Sequence, residues 1–210
     1  MTLDPICIIS SMMDEKQKYF DDIGDTWDKD LTAEDLERLA HIIDTFRLSK
    51  GLKVCDLGCG TGVLFDLLRR RVGENGYIAG VDFAPRVARR AHDNFPFHNI
   101  GVVEADASYL PFAMGVFDLV VSFAAFAHFS HKDETIHEAY RILKPGGRMV
   151  IIHLAGRDEL AREHHQAGGP IDHDILPDRK QLEEMFRRGQ FAGCELTETD
   201  TLYLAVGRKI

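Results

Sequence analysis

From Lys53 onward, short apolar runs alternate with longer stretches whose apolar residues return every three to four positions. The short runs suit buried strands, and the longer stretches suit helices laid against a sheet. Strands are expected at Lys53–Leu57, Tyr77–Asp82, Ile100–Glu104, Val116–Ser122 and Arg148–His153, with helices at Gly62–Val72, Ala84–Asn94 and Lys132–Leu143. This rhythm is that of an open, parallel α/β sheet. Beyond Asp178, KQLEEMFRRG predicts another helix closed by Gly189. The runs Cys194–Glu198 and Leu202–Val206, parted by Thr199-Asp200-Thr201, predict an antiparallel hairpin.

Residues 1–50 follow another pattern. Tyr19, Phe20, Ile23 and Trp27 are interleaved with acids, and Ala33–Phe46 predicts an amphipathic helix with Thr32 as N-cap and Asp35 at its third position. The expected organisation is one domain over 1–210, with a helical cap or lid in 1–50 and the α/β core in 51–210. No internal repeat or low-complexity linker interrupts it, and Gly168-Gly169-Pro170 marks a loop rather than a boundary.

Composition narrows the function. A chain of 210 residues with 45% hydrophobic content suits a globular domain with a sizeable core. No apolar run approaches a membrane span, and the N-terminal MTLDPICIISSMMDEKQ lacks the basic leader of a signal peptide. The formal net charge is −9, and the dense basic clusters, Arg69-Arg70-Arg71 and Arg86 to Arg90, fall on predicted helices where a solvated face explains them. Small molecules are therefore favoured over nucleic acid. Cys7, Cys55, Cys59 and Cys194 are scattered without a C-x-x-C, which reads as reduced thiols in a cytoplasmic protein.

The segment VCDLGCGTG, residues 54–62, runs from a strand through an acid into a glycine-rich turn. Val54 and Leu57 fit a buried strand, and Thr61 onward reads as the following helix. Gly58, Gly60 and Gly62 leave out the Cβ atoms that would hold a ligand off the backbone. Asp56 suits a positively charged amino group, while the N–H groups at the helix start suit a carboxylate. The methionine end of S-adenosylmethionine carries both. Two other readings stay open at this point: a tight turn with no ligand, and a dinucleotide turn. The latter wants G-x-G-x-x-G, whereas the third glycine here comes one residue early.

Further acids follow in order along what would be the carboxyl edge of the sheet, where ligands of open α/β sheets bind. Asp82 ends the second strand within GVDFAP, 20 residues beyond Gly62, placed to accept both ribose hydroxyls. Phe83 can lay its ring against adenine. Asp106, within VEADASYLPF, can accept from an exocyclic amine while the Ala107 amide donates to a ring nitrogen. A helix N-cap ahead of Pro85 and a surface turn are the plainer explanations of Asp82 and Asp106 taken singly.

Together, VCDLGCGTG, GVDFAP, EADASYLPF, FDLVVSF and YRILKPGGRMVI resemble the successive motifs of class I S-adenosylmethionine-dependent methyltransferases, most of all the ubiquinone/menaquinone C-methyltransferase group. The resemblance covers about Lys53 to Ile152, and more loosely the N-terminal YFDDIGDTWD. It implies a Rossmann-like sheet of seven strands, the last antiparallel, with helices on both faces. It also implies that Asp56, Gly58, Cys59, Gly60, Asp82, Phe83, Asp106 and Ala107 contact the cofactor, with Ser122 and Phe123 beneath its methionine portion. The aromatic residues near Trp27 resemble a segment that folds over the cofactor; a helix packed on the core is the other explanation.

The methyl acceptor is the less legible half. In-line transfer from a sulfonium needs the reacting atoms aligned and water excluded, and a base only where the acceptor must lose a proton. Seven of the ten histidines lie between His128 and His173, and ELAREHHQAGGPIDHDILP adds Asp172 and Asp174, so imidazoles and carboxylates converge on the acceptor side if this segment folds back over the site. His128, in the apolar setting FAAFAHF, is the candidate base or substrate-positioning group. Alternatively, His128, His153 and His164 or His165 hold a divalent metal that orients the acceptor, although no H-x-x-x-H or H-E-x-x-H spacing supports this. A third possibility is that these imidazoles satisfy local bonds or face solvent, as expected for His131 and His137. Phe112, Phe123, Phe126 and Phe129 point to an apolar acceptor pocket, with core packing explaining at least two of them.

Dispersed cysteines disfavour an arsenite methyltransferase, and SFAAFAHF disfavours an amino-methylating nucleic-acid enzyme of the Asn/Asp-Pro-Pro-aromatic type. The expectation is a methyltransferase acting on a small, apolar or aromatic acceptor. The alternative from another class is a noncatalytic adenosyl-ligand or metal-responsive binding protein. Neither the oligomeric state nor the atom methylated can be read from the residues.

Overall fold

The computed structural model describes residues 15–24, 26 and 31–210. Cys7 and Trp27, and the readings placed on them, lie outside the described residues. Residues 15–23 are helical (α1). They are followed by α2 (Ala33–Thr45), β1 (Lys53–Leu57), α3 (Phe65–Val72), β2 (Tyr77–Asp82), α4 (Pro85–Asn94), β3 (Ile100–Glu104) and β4 (Phe117–Phe123). After β4 come α5 (Lys132–Ile142), β5 (Leu143–His153), α6 (Arg157–Ala167), α7 (Arg179–Arg188), β6 (Cys194–Thr199) and β7 (Leu202–Arg208).

The seven strands form one sheet in the order β3-β2-β1-β4-β5-β7-β6. Only β7 runs against its neighbours, pairing antiparallel with both β5 and β6. Strand order reverses between β1 and β4, which places a crevice at the carboxyl ends of those two strands.

Successive residues of the strands enter opposite cores, as the pleat requires. Cys55, Leu57, Val120, Met149 and Ile151 pack with Ile136 and Ala139 of α5 and Leu182 and Phe186 of α7. Val54, Leu119, Val121, Val150 and Ile152 pack with Leu39 and Ile43 of α2 and Phe65 and Leu68 of α3. Strands buried on both faces must be apolar almost throughout, which is why they read as continuous runs. Each fully buried Leu, Ile or Phe contributes roughly 1.5–3 kcal/mol of transfer free energy, so the two layers hold the crevice rigid from both sides.

Local signals explain where elements begin. Thr32 and Asp35 form the expected capping box on α2, and Asp178 forms one with Gln181 on α7. Most boundaries fall within two residues of expectation, and three features depart further. The helix after the glycine turn starts at Phe65 rather than Gly62, because Gly62 holds φ +97°, outside the right-handed helical region. β5 begins at Leu143 rather than Arg148. Phe117 pairs with Leu143, then the register shifts before Leu119 meets Arg148, and the intervening Pro-Gly-Gly reads as a turn in sequence. Finally, α6 was not expected as a helix, since its one buried residue is His164 and no apolar stripe marks it.

Candidate active site

The loop after β1 is held by backbone. The amides of Gly58 and Cys59 both donate to the Val81 carbonyl, at 2.8 and 3.0 Å. Gly58 has φ +70°, and a Cβ there would lie 2.3 Å from the Ala125 Cβ, so this strand-end loop and the one after β4 meet in the space a side chain would need. The Gly60 amide donates to Asp82 Oδ2 at 2.9 Å, and the Ala84 amide to Asp82 Oδ1 at 3.0 Å. The end of β2 is thereby fastened to the glycine turn and to the start of α4.

Two adjoining cavities open along this edge, with about 620 and 440 Å³ of space including their mouths. Gly58, Asp82, Phe83, His128 and Phe129 line both. The first adds Gly60, Thr61, Phe123, Ala124 and Ala125, with Phe20, Ile23 and Gly24 from the N-terminal side. The second adds Lys16, Ala105, Asp106, Ala107 and Ser130. Of the candidate cofactor residues, Asp56, Cys59 and Ser122 line neither cavity. Cys59 turns into the core with Leu64 and Phe65, leaving its backbone at the loop.

Asp56 and Ser122 are buried behind the loop, and among the described residues Asp56 Oδ1 and Ser122 Oγ have no hydrogen-bond partner. Burial, reinforced by the neighbouring Asp82, pushes the Asp56 carboxyl up to about 8. Burial also raises Asp82, against the lowering effect of the Ala84 and Gly60 amides. A buried acid raised further by an acidic neighbour marks a region where a positive group is favoured. Asp106 serves a local turn as well, because its Oδ1 accepts from the Ser108 amide and hydroxyl, both at 2.7 Å.

At the end of β4, Ala124 takes φ +54°, an unusual conformation for a residue with a side chain. That bend presses Ala125 onto Gly58 and starts the 3-10 turn Phe126–His128, which carries His128 into the cavity wall. Lys132 Nζ donates to the Ala127 and Phe129 carbonyls at 2.7 and 2.8 Å, closing the turn from below. Burial brings the Lys132 amine down to about 8, with Asp174 opposing the shift.

The His128 ring is 93% hidden and its Nδ1 lies 2.8 Å from Asp174 Oδ2. Burial lowers its imidazole below the ordinary range, and Asp174 works in the other direction. Lys16 Nζ reaches Asp174 Oδ1 at 2.6 Å and the His128 carbonyl at 3.1 Å. Above them, Phe20 of α1 lies edge-on to both His128 and Phe83, with centroids 4.9 and 5.8 Å away. The Gln17 side-chain amide donates to the Phe83 carbonyl at 2.6 Å. Sequence reasoning read Phe20 as part of a cap and Asp174 as a carboxylate that could fold back over the site, but missed Lys16 as its partner and Ala124 as the bend. No local signal marks either of these two.

The histidine-rich segment divides. His164 Nδ1 donates to the Asp174 backbone carbonyl at 2.5 Å, and its ring lies 4.6 Å from that of His128. His153 ends β5, buried beside Tyr203, and is pushed down to about 3 by burial and then by His128, His164 and Lys132, so it is neutral. His165 and His173 are exposed around Asp172 on the surface.

The metal alternative on His128, His153 and His164 finds no support. Among the described residues no group of three or more His, Cys, Asp or Glu is arranged to hold an ion. His165 faces the surface beside Asp172 and His153 packs against Tyr203, so the candidate imidazoles are not gathered around one point. The phenylalanines also divide: Phe123 and Phe129 line the first cavity, whereas Phe126 lies in the core and Phe112 packs against it.

Residues 48–190 match the family model described as a methyltransferase domain. The ubiquinone/menaquinone biosynthesis C-methyltransferase UbiE of Methylococcus capsulatus is 27% identical over 90% of this chain and 88% of its own length. The 2-phytyl-1,4-naphtoquinone methyltransferase of Thermosynechococcus vestitus is 34% identical over 59% of this chain and 56% of its own length. The chain spans about half the length of several other curated relatives that it matches. A SAM-dependent methyltransferase structure from Aquifex aeolicus superposes with a TM-score of 0.70 at 18% identity, covering 92% of this chain and 98% of that one, a likeness of fold. The chain belongs to the methyltransferase-domain family. Its reaction class is S-adenosylmethionine-dependent methyl transfer. Among the described residues no helix is long and apolar enough to cross a membrane.

Proposed function

We propose that this enzyme methylates a small, apolar aromatic molecule of the quinol type at a ring position, with His128 as the base or positioning group. The observation that carries this is one imidazole on the wall of an otherwise largely apolar cavity, a wall it shares with Asp82, Gly58 and Gly60. The activities for which the relatives are named point to the same acceptor class.

The residues present fit S-adenosylmethionine. Asp56 Oδ1 and Ser122 Oγ are buried polar atoms lacking partners among the described residues, and the region around Gly60 is open where a Cβ would project. In this reading Asp56 supplies charge to the ammonium from behind the loop, and the backbone of Gly58, Cys59 and Gly60 carries the methionine end over Ser122 and Phe123. Asp82 accepts from the ribose hydroxyls; each of its oxygens receives one amide and keeps a second acceptor site. Phe83 lies along adenine, with Asp106 Oδ2 and the Ala107 amide at its edge. When bound, the cofactor supplies an electrophilic methyl on a sulfonium.

The apolar wall of Phe123, Phe129, Phe20 and Ile23 excludes water and takes the aromatic acceptor. His128 Nε2 receives the proton that the acceptor loses, while the acceptor's electron pair forms the new bond to the methyl carbon and the carbon–sulfur pair stays on sulfur. The buried free thiols Cys55 and Cys59 favour a reducing, cytoplasmic setting. The test is transfer of labelled methyl to a panel of hydroquinones, phenols, amines and thiols, repeated with His128→Ala. Transfer to amines or thiols alone would reject the acceptor class, and full turnover by His128→Ala would reject the base.

A further inference from the structure

Asp174 lies in the loop between α6 and α7, far along the chain from the glycine turn after β1. Its side chain nevertheless reaches the cavity wall. One carboxylate oxygen faces His128 Nδ1 at 2.8 Å and the other faces Lys16 Nζ at 2.6 Å, while its backbone carbonyl accepts from His164. Side chains of Asp174 and Lys16 are 12% and 13% exposed, so this is an interior arrangement rather than a surface ion pair. Its partners come from α1, from the turn after β4 and from α6, three segments distant in sequence that meet on one carboxylate.

We propose that Asp174 is a positioning residue for His128, fixing the ring with its proton on Nδ1, and that Lys16 makes this arrangement depend on α1 lying over the cavity. An ionised carboxylate only accepts hydrogen bonds, so His128 must donate through Nδ1. The basic lone pair is then on Nε2, the ring atom assigned above to take the acceptor's proton; the inference rests on that reading. The Nδ1 proton remains on the ring throughout, and Asp174 offsets the positive charge of the imidazolium formed. After transfer, the Nε2 proton leaves to water.

The network explains why the carboxylate stays charged. Burial opposes ionisation of Asp174, but His128 and then Lys16 together hold it below the ordinary range. His164, from α6, adds a ring against His128 and a bond to the Asp174 backbone. His153 from β5, Lys132 at the start of α5 and Tyr19 of α1 are further titratable groups of this cluster, and Asp82 and Asp106 share the cavity walls with His128. Of these, Asp174 is the acid that meets the ring directly. Lys16 bonds both Asp174 and the His128 carbonyl, so displacement of α1 removes the cation that orients the carboxylate and one support of the turn.

The experiment is long-range nitrogen–proton NMR of the imidazoles, with His128 assigned by His128→Gln, run on wild type, Asp174→Asn and Lys16→Met. It is paired with methyl transfer to whichever acceptor the panel identifies. Wild type should show His128 as the Nδ1–H tautomer. Asp174→Asn should shift it toward Nε2–H and lower kcat roughly 10- to 100-fold with KM for the cofactor nearly unchanged. It should also move the acidic limb of the kcat profile to lower pH, because the one group that raises the imidazole is gone. Lys16→Met should shift the tautomer and kcat in the same direction and less strongly, while its acidic limb moves to higher pH, because Lys16 lowers the imidazole that Asp174 raises.

An Nε2–H tautomer in wild type overturns the proposal without any variant. So does an unaltered His128 spectrum and turnover in Asp174→Asn, where His128→Ala is inactive. Full turnover in His128→Ala instead removes the base assignment itself, and this proposal with it.

Discussion

Gly58 and Ala125, from loops that succeed different strands, approach so closely that a methyl group on Gly58 would lie 2.3 Å from the Ala125 Cβ. With φ at +70°, Gly58 is also in a conformation that side chains resist. Gly58→Ala should therefore open the junction between the glycine turn and the turn carrying His128. A stability loss of roughly 1–3 kcal/mol is expected, together with at least tenfold weaker S-adenosylmethionine binding. Thermal melts and calorimetry check both; native affinity in the variant would mean the junction does not shape the cofactor site.

Asp56 should link cofactor binding to pH. Its carboxyl is pushed up to about 8 by burial and by Asp82, so at neutral pH it is protonated in the ligand-free protein. An ammonium nearby favours the carboxylate, so binding near pH 7 should release a proton and affinity should rise with pH until about 8. Without ligand the sign is opposite. The folded protein keeps a proton that the unfolded chain releases near pH 4, so stability falls as pH rises between those values. Asp56→Asn should flatten both dependences. Titration calorimetry in buffers of different ionisation enthalpy measures the proton count, and zero release by wild type rejects the assignment.

Asp82→Ala removes the acceptor shared by the Gly60 and Ala84 amides as well as the proposed ribose contact. Cofactor binding should weaken by about 1–3 kcal/mol through loss of charge-assisted bonds. Unchanged affinity in calorimetry would contradict the role given to Asp82.

Phe20 closes the first cavity from the N-terminal side against Phe83 and His128. Phe20→Ala should raise the cofactor dissociation rate and lower kcat, because the wall that excludes water is breached, while the melting temperature moves little relative to a core Phe→Ala. Stopped-flow release of the cofactor checks this; a dissociation rate equal to that of wild type would show that α1 does not gate the cavity.

As an independent measure of the scaffold, Thr32→Ala should lose the capping box of α2 at about 1 kcal/mol. Cofactor affinity should be retained, since α2 packs on α3 behind the sheet, away from the cavity wall. A parallel loss of binding would place α2 in the site after all.

The edge of the sheet was legible because a parallel strand buried on both faces announces itself as an apolar run, and the residues next in the chain must then lie at the carboxyl edge. Asp82, Phe83, Asp106 and Ala107 were placed there by that logic, and the structure puts all four in the cavity walls. The same logic says nothing of side-chain direction, so it did not foresee Cys59 turned into the core or Asp56 walled off behind the loop. α6 escaped notice because its one buried position holds a histidine.

Local pattern thus determined the order of strands and helices, the glycine turn and the acids at the strand ends, since each depends on residues within a few positions of one another. Tertiary structure decided which histidine meets which acid. Lys16 and Asp174 are 158 positions apart and His128 and Asp174 are 46 apart, with no periodicity relating them. Their meeting results from how α1, the turn after β4 and the loop before α7 close over one crevice, a consequence of burying two apolar layers at once.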